Sequence, residues 1–223
     1  EFIGGDGNDT LDNNGNAFLR LGSFTGFETV NLGALGWGIQ GTDDAEIADL
    51  SGISFFEANS TLLVDAGGGD DQIIGISAGA VDRFGFGVTN ETYDLGDGND
   101  SFIGSSNSIA EEIIGGAGDD TIDGGGGNDR LFGGAGADTL HGGDGNDIFF
   151  VDSATDDTTL DLYLGGAGAD VLDNNGTSNL RLDGWDSSDP GGTANGSGVE
   201  EIRLGGNYEI EGSSGGDVYN FIN

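Results

Sequence analysis

The 223-residue chain lacks cysteine, methionine and lysine and contains a single proline. Without cysteine, disulfides, a thiol nucleophile and thiolate metal ligands are excluded. Its five basic residues are scattered and cannot form the basic patch that nucleic-acid binding requires; they are Arg20, Arg83, Arg130, Arg181 and Arg203. No run of about 18 apolar residues and no basic amphipathic helix occurs, so the sequence predicts no membrane insertion.

Glycine and acidic residues are abundant instead. The chain has 48 glycines, 41 aspartates and glutamates, and a formal net charge of −36. This composition is typical of disordered chains, yet 35% of the residues are hydrophobic. A core can therefore form if a cation neutralises the carboxylates. The chain also starts without methionine, at Glu1, and both of its ends resemble the interior of a repeat. We therefore expect it to be a piece of something longer.

A nonapeptide of the form G-G-x-G-x-D-x-(apolar)-x dominates the sequence. Four consecutive copies fill residues 115–150, and two more perfect copies start at Gly4 and Gly165. Two degenerate copies, which start at Ala66 and Leu95, lack the first glycine. A flexible glycine-rich linker would not keep an apolar residue at every ninth position.

Each position of the nonapeptide has a physical role. The glycines permit positive φ angles and a tight turn with inward carbonyls, and the sixth-position aspartate adds a charged oxygen. The apolar eighth residue lies in a minimal strand and can point into a core. Two nonapeptides then form a coil of two turns and two strands, so that each turn stacks on the next turn but one. Oxygen ligands without nitrogen or sulfur suit Ca²⁺, and suit Mg²⁺ less well.

The repeats resemble the RTX (repeats-in-toxin) calcium-binding family, and the resemblance implies an all-β parallel β-roll, or β-solenoid, that binds several Ca²⁺ ions. In that family one turn gives oxygens from its first, third and fifth residues, and the facing turn gives two carbonyls and the sixth-position aspartate. The resemblance therefore pairs Asp120 with Asp138 and Asp129 with Asp147, extended by Asp100 below Asp120 and by Asp170 above Asp147. The implied metal ligands are Asp9, Asp71, Asp100, Gly115, Ala117, Asp119, Asp120, Gly125, Gly127, Asn128, Asp129, Gly134, Gly136, Asp138, Gly143, Gly145, Asn146, Asp147 and Asp170.

The segments outside the repeats predict irregular coils of one elongated solenoid that spans residues 1–223, with the regular calcium block at 115–150 and irregular coils at 13–114 and 151–223. Residues 64–75 and 93–104 align with a spacing of 29. We expect strands at 27–32, 47–50, 61–65 and 201–204, no helix, and an exposed loop at 186–198 around Pro190.

Catalytic interpretations are disfavoured, and we expect no enzyme. The sequence Gly75-Ile76-Ser77-Ala78-Gly79 matches a nucleophile elbow, but no helix pattern follows it, and His141 ends a nonapeptide and should point outward. Adjacent acidic pairs such as Glu111 and Glu112 would point to opposite faces of a strand, which argues against glycosidase chemistry. An ice-binding threonine ladder is missing at the third repeat position.

Two functions remain open. One is a calcium-dependent structural module of a large secreted or cell-surface bacterial protein, such as an adhesin, an S-layer or an extracellular filament. The other is a polysaccharide-binding accessory module of a secreted enzyme such as an alginate epimerase, but few arginines are present for an anionic glycan. The RTX resemblance implies export from a Gram-negative cell through a one-step (type I) channel, with folding outside in calcium. Further partners could be copies of the chain itself or other surface proteins.

Overall fold

The architecture is described from a computed structural model of residues 1–223. The structure describes the backbone of residues 2–3, 10–12, 18–20, 23–25, 29–31, 38–52, 55–56, 61–76, 81–82, 90–106, 108–151, 161–174, 180–182, 199–204 and 210–212. Asp9, Ser77 and the loop expected at 186–198 lie outside these residues.

The described residues form strands and no helix. The strands are β1 (Phe2–Ile3), β2 (Thr10–Asp12), β3 (Phe18–Arg20), β4 (Phe24–Thr25), β5 (Thr29–Asn31), β6 (Gly38–Thr42), β7 (Ile47–Asp49), β8 (Phe55–Phe56), β9 (Thr61–Gly67), β10 (Gln72–Ile74), β11 (Val81–Asp82), β12 (Asn90–Asp97), β13 (Ser101–Ile103), β14 (Glu111–Ala117), β15 (Thr121–Asp123), β16 (Arg130–Ala135), β17 (Thr139–Asp144), β18 (Ile148–Phe150), β19 (Leu162–Ala167), β20 (Asp170–Asn174), β21 (Leu180–Leu182), β22 (Val199–Leu204) and β23 (Ile210–Gly212). Across the described ranges no helix is long and apolar enough to span a membrane.

Two large parallel sheets make the body of a β-solenoid. The eight-stranded sheet has the order β1-β4-β7-β10-β13-β15-β17-β19, and the nine-stranded sheet has the order β22-β20-β18-β16-β14-β12-β9-β6-β3. Through the regular block the chain alternates between the two sheets, and each strand pairs in parallel with the next strand but one, as β14 does with β16 and β15 with β17. This confirms the all-β parallel roll expected from the repeats.

The length of each coil is set by the loops between the strands. Successive coils are 18 residues apart in the regular block, as between Asp120 and Asp138. The step lengthens to 29 between Asp71 and Asp100 and to 23 between Asp138 and Asp161. The 29-residue alignment expected from the sequence is confirmed by the pairing of Val64 with Tyr93.

The longer coils also carry a third strand. Strands β2, β5, β8 and β11 form a separate four-stranded parallel sheet, and β21 pairs with β23. An 18-residue coil uses its residues in two strands and two tight turns, so only the longer coils have chain to spare for a third face. The four strands expected from the sequence are all present, as β5, β7, β9 and β22, with bounds that differ by up to two residues at an end.

The core is one apolar side chain deep on each side. In the nine-stranded sheet, one column of buried residues lies in register: Ile39, Val64, Tyr93, Ile113, Leu131, Phe149 and Leu172. In the eight-stranded sheet the corresponding column is Ala48, Ile73, Phe102, Ile122, Leu140 and Tyr163. The eighth position of every nonapeptide with described side chains belongs to one of these columns, as expected. Because the core is so narrow, the interactions within and between the turns must also contribute strongly to the stability of the fold.

Candidate metal sites between the turns

The turns stack in two rows, one along each edge of the solenoid. The first row leads from the nine-stranded to the eight-stranded sheet and includes turns 41–46, 66–71, 95–100, 115–120 and 133–138. The second row leads back and includes turns 104–111, 124–129, 142–147 and 165–170. Two glycines per nonapeptide make these turns possible, since Gly134 and Gly136 have φ angles of 105° and 142°, which side chains disfavour.

The sixth-position aspartates form a continuous column in each row. One carboxylate oxygen of each aspartate accepts a hydrogen bond from the backbone N–H of the residue one coil earlier. Asp120 N–H donates to Asp138 Oδ1 at 2.9 Å, and Asp129 N–H donates to Asp147 Oδ1 at 2.8 Å. The same contact joins Asp71 to Asp100, Asp100 to Asp120, and Asp147 to Asp170. We call these two stacks the carboxylate columns.

The second oxygen of most column aspartates is buried and unsatisfied. The Oδ2 atoms have no hydrogen-bond partner in Asp71, Asp100, Asp120, Asp129, Asp138 and Asp147, whose residues are at most 3% exposed. Buried polar atoms are nearly always paired, because an unpaired one forfeits its interaction with water. Six such atoms along the two turn rows indicate a missing positive partner.

Burial also raises the pKa values of these carboxyl groups. Loss of contact with water is the largest cause of the rise, and neighbouring carboxylates raise the pKa further. The hydrogen bonds from backbone N–H groups lower the pKa and offset part of the rise. The pKa rises to about 7 in Asp71, Asp120 and Asp129 and to about 6 in Asp138. The turns are thus electrostatically strained when ionised and bare, and a bound cation would relieve the strain.

The first glycine of each repeat leaves room beside the orphaned oxygen. A Cβ atom on Gly124 would lie 2.8 Å from Asp129 Oδ2 and 2.9 Å from the carbonyl oxygen of Gly142 in the next coil. The corresponding position on Gly142 is bounded by Asp147 Oδ2 and by the carbonyl of Gly165. A carboxylate and a carbonyl oxygen therefore converge on a space that no side chain enters.

Fifth-position side chains form a second, more exposed ladder. Asn128 Oδ1 accepts the Asn146 N–H at 2.8 Å, Asn146 Oδ1 accepts the Ala169 N–H at 2.8 Å, and Asp119 Oδ1 accepts the Ala137 N–H at 2.8 Å. This ladder explains why asparagine or aspartate recurs at the fifth position: a short side-chain oxygen locks each turn to the next coil. The expected ligands of the regular block thus lie in turns that stack one coil apart; that these residues bind calcium stays a prediction.

In the described part of the chain, four column residues are not part of any nonapeptide, and the repeat pattern did not predict them. Glu46 and Asp161 lie in the first column: Glu46 N–H donates to Asp71 Oδ1 at 2.7 Å, and Asp138 N–H donates to Asp161 Oδ1 at 3.0 Å. Glu91 and Glu111 lie in the second, where they pair in register and Glu111 N–H donates to Asp129 Oδ1 at 2.9 Å. Each is followed two residues later by a core residue, the sixth-to-eighth spacing of the repeat, and that spacing is the signal that could have revealed them.

Glu46 and Asp161, the outermost described members of the first column, have carboxylate oxygens that accept hydrogen bonds from neighbouring residues. Thr42 donates to Glu46 through its N–H at 3.1 Å and through its hydroxyl. The hydroxyl of Tyr163 donates to Asp161 Oδ2 at 2.8 Å. In the described part of this column, unsatisfied oxygens therefore occur between Glu46 and Asp161, in Asp71, Asp100, Asp120 and Asp138.

The catalytic alternatives receive no support from the described geometry. Glu111 is 1% exposed, whereas Glu112 faces outward and pairs with Arg130 at 3.1 Å, so the two carboxylates lie on opposite faces as expected. His141 Nδ1 lies 3.3 Å from Asp123 Oδ1 on the outer face of the eight-stranded sheet. This hydrogen bond raises the pKa of His141 and lowers the pKa of Asp123.

The donor set fits a hard divalent cation bound jointly by carboxylates and carbonyls. Among the residues the structure describes, no three or more His, Cys, Asp or Glu side chains gather at one point, so backbone oxygens or water would have to complete any coordination sphere. An all-oxygen set of mixed charge and flexible geometry is characteristic of Ca²⁺. Asp120, Asp138, Asp129 and Asp147, with the carbonyls of the facing glycines, are the residues that would hold it, and the ion would neutralise the buried charge.

Comparison with known families agrees with this chemistry. A family model of the RTX calcium-binding nonapeptide repeat matches four copies, at residues 1–16, 105–140, 114–149 and 123–157. These are RTX calcium-binding nonapeptide repeats. No curated protein and no solved structure matches the chain significantly. RTX repeats form structural calcium-binding rolls typical of secreted bacterial proteins, and the strands of this chain form such a roll.

Proposed function

We propose that this RTX chain is a calcium-dependent structural module of a large secreted or cell-surface bacterial protein, of the adhesin, S-layer or extracellular filament type. It stays unfolded in the low calcium of the cytoplasm and folds outside the cell. The observation that carries the proposal is the run of buried column aspartates whose second oxygen has no hydrogen-bond partner.

The charge energetics give the proposed calcium dependence a magnitude. A tenfold change in an acid dissociation constant corresponds to about 1.4 kcal/mol, so an aspartate whose pKa rises from 3.8 to about 7 costs on the order of 4 kcal/mol when ionised. The pKa reaches about 7 in three column aspartates and about 6 in Asp138. Their combined cost, on the order of 15 kcal/mol, is as large as the whole stability of a typical domain, about 5–15 kcal/mol. Calcium therefore acts as a switch for folding.

The placement of the arginines supports a structural role over the binding of an anionic polysaccharide. Strands β3 and β22, which contain Arg20 and Arg203, lie at opposite ends of the nine-stranded sheet. Arg181 is in β21, in a separate sheet. Arg130 is engaged already, since it pairs with Glu112 and its guanidinium lies 4.6 Å from the centre of the Phe150 ring. No two of the strands that contain these four arginines are adjacent in a sheet.

Surface labelling would test the proposed location. An antibody raised against the calcium-loaded chain should stain intact, unpermeabilised cells of the source organism in millimolar calcium, the range in which extracellular calcium modules bind. Treatment with a chelator should abolish staining by an antibody specific for the folded state. Staining only after permeabilisation would contradict an extracellular role. Sedimentation of the chain in calcium would separate the filament type, which forms polymers, from the types that stay monomeric.

A further inference from the structure

The turn at residues 104–111 carries a buried glutamate where the repeats carry aspartate. Its sequence, GSSNSIAE, lacks the second and fourth glycines of the nonapeptide. Glu111 nevertheless occupies the second carboxylate column: it pairs in register with Glu91, and its N–H donates to Asp129 Oδ1 at 2.9 Å. The column of acidic residues thus continues beyond the regular repeats.

The oxygens of this turn are buried without partners. Glu111 is 1% exposed, and its carboxylate lies beside the Ser105 N–H and the Glu91 carboxyl group without a hydrogen bond of normal geometry to either. Glu91 is 2% exposed; its Oε2 accepts the Tyr93 hydroxyl at 2.8 Å, but its Oε1 has no partner. The Ser105 hydroxyl, in the same turn as Glu111, is also buried and unpaired. Four unsatisfied oxygens from two adjacent coils therefore lie in this part of the interior.

The surroundings of Glu111 reproduce the space beside each nonapeptide aspartate. A Cβ atom on Gly104 would lie 2.7 Å from Glu111 Oε2 and would also meet the carbonyl oxygen of Gly124 in the next coil. In the regular block the same relation joins Gly124, Asp129 Oδ2 and the carbonyl of Gly142. On the other side, a Cβ on Gly75 would lie 3.0 Å from Glu111 Oε1. Gly104 therefore keeps one side of the Glu111 carboxylate open, whereas on the Gly75 side the Phe102 ring and the Tyr93 hydroxyl also lie close.

A cation satisfies this arrangement more completely than a proton. A proton shared between Glu91 and Glu111 would join one oxygen of each, but it would leave the Ser105 hydroxyl unpaired. A divalent ion would neutralise both carboxylates and could accept several oxygens at once.

We propose that Glu111, together with Glu91 and the carbonyl of Gly124, holds an additional calcium ion outside the nonapeptide pattern, at the junction between the regular block and the irregular coils. This inference rests on the proposed calcium-dependent folding. It adds a site in which a glutamate and a longer turn replace the aspartate and the glycine-rich turn.

Glu46 provides a matched control in the other column. It is also a glutamate in a column position, it is also buried, and a Cβ atom on Gly41 would lie 2.8 Å from its Oε2. Its carboxylate, however, is satisfied by the N–H and hydroxyl of Thr42. Column position alone therefore predicts an ion at both glutamates, whereas unsatisfied oxygens predict an ion at Glu111 and none at Glu46.

The test is the number of calcium ions retained by the whole chain in native mass spectrometry at saturating calcium. Glu111→Gln should lose one ion relative to the unsubstituted chain, Glu46→Gln should lose none, and Glu111→Asp should keep the full number. An unchanged count in Glu111→Gln overturns the inference and assigns the pair a shared proton. An unsubstituted chain that binds no calcium would instead overturn the proposed function.

A second measurement covers the case in which Glu111→Gln does not fold at any calcium concentration. Terbium bound at this site would lie close to the Tyr93 ring, whose hydroxyl contacts Glu91 at 2.8 Å. Excitation of tyrosine should therefore sensitise terbium emission in the folded chain, and Tyr93→Phe should lose one component of that emission. Equal emission from the two chains would overturn the inference.

Discussion

Asp129→Asn should change the stability of the calcium-free and calcium-bound chains in opposite directions. Asp129 is fully buried; its Oδ1 accepts the Glu111 N–H at 2.9 Å and its Oδ2 has no partner. Asparagine can keep the first contact through its own Oδ1. It removes the negative charge from the second oxygen, and with it a charged calcium ligand.

The magnitude follows from the raised pKa. Burial raises the pKa of Asp129 from 3.8 to about 7, so the ionised group destabilises the bare fold at pH 8 by roughly 4 kcal/mol. The asparagine variant should recover much of this in chelator, and fold at a lower concentration of a stabilising osmolyte. In calcium the sign reverses. Mutation of a residue that only hydrogen-bonds to a metal ligand typically costs about 10–100-fold in metal affinity. Loss of a ligand's charge should cost at least as much, so the calcium concentration at the folding midpoint should rise at least about tenfold.

Far-UV circular dichroism, followed against free calcium and against osmolyte in chelator, measures both effects. Asp44→Asn is the control: it removes the same charge from a turn outside the nonapeptides, and this side chain is exposed. It should shift either midpoint little. Equal effects of the two substitutions would refute the reasoning, because general charge reduction would then explain everything.

Three further predictions address the columns. In chelator, lowering the pH from 8 to 5 should favour folding, as measured by circular dichroism. When the folded-state pKa of a group is raised, its contribution to stability is lost as the pH rises from about 4 to about 7. If the β signal did not increase in acid, this would contradict the burial of Asp71, Asp120, Asp129 and Asp138. Gly124→Ala should weaken calcium binding in a titration, because its Cβ would lie 2.8 Å from Asp129 Oδ2. Gly68→Ala is the control and should not weaken binding, because its Cβ would come no closer than 3.6 Å to a neighbouring atom. Equal calcium affinities of the two variants would argue against an ion beside Gly124. Tyr163→Phe removes the 2.8 Å hydrogen bond to Asp161 and should lower the unfolding free energy of the calcium-bound chain, measured in urea, by about 1.5–3 kcal/mol. An unchanged unfolding free energy would show that this hydrogen bond does not stabilise the end of the column.

The nonapeptides could be interpreted from sequence because each requirement recurs at a fixed spacing. The eighth position must be apolar to enter the narrow core, as Leu131 and Phe149 do, and the sixth must be acidic to join the column, as Asp129 and Asp147 do. These constraints are local, so the coil, the parallel pairing and the stacking of turns follow from the period. That these residues bind the ion is still a prediction.

The irregular coils could not be interpreted in the same way, because their loops vary in length. Asp161 is 23 residues from Asp138 and Glu46 is 25 from Asp71, so neither repeats the 18-residue period. What persists is an acidic residue two positions before a core residue, as in Glu111 and Ile113. Whether the oxygens of its carboxylate find hydrogen-bond donors depends on contacts such as that of Thr42 with Glu46, and these contacts form only once the chain is folded.

The most direct test of the account is the β-strand signal of the chain with and without calcium. In excess chelator at pH 8, far-UV circular dichroism should show a largely disordered chain, and addition of millimolar calcium should restore the β signal reversibly. Magnesium at the same concentration should restore much less, because it demands a stricter octahedral geometry. A full β signal in chelator would contradict the central claim that the buried carboxylate columns require calcium.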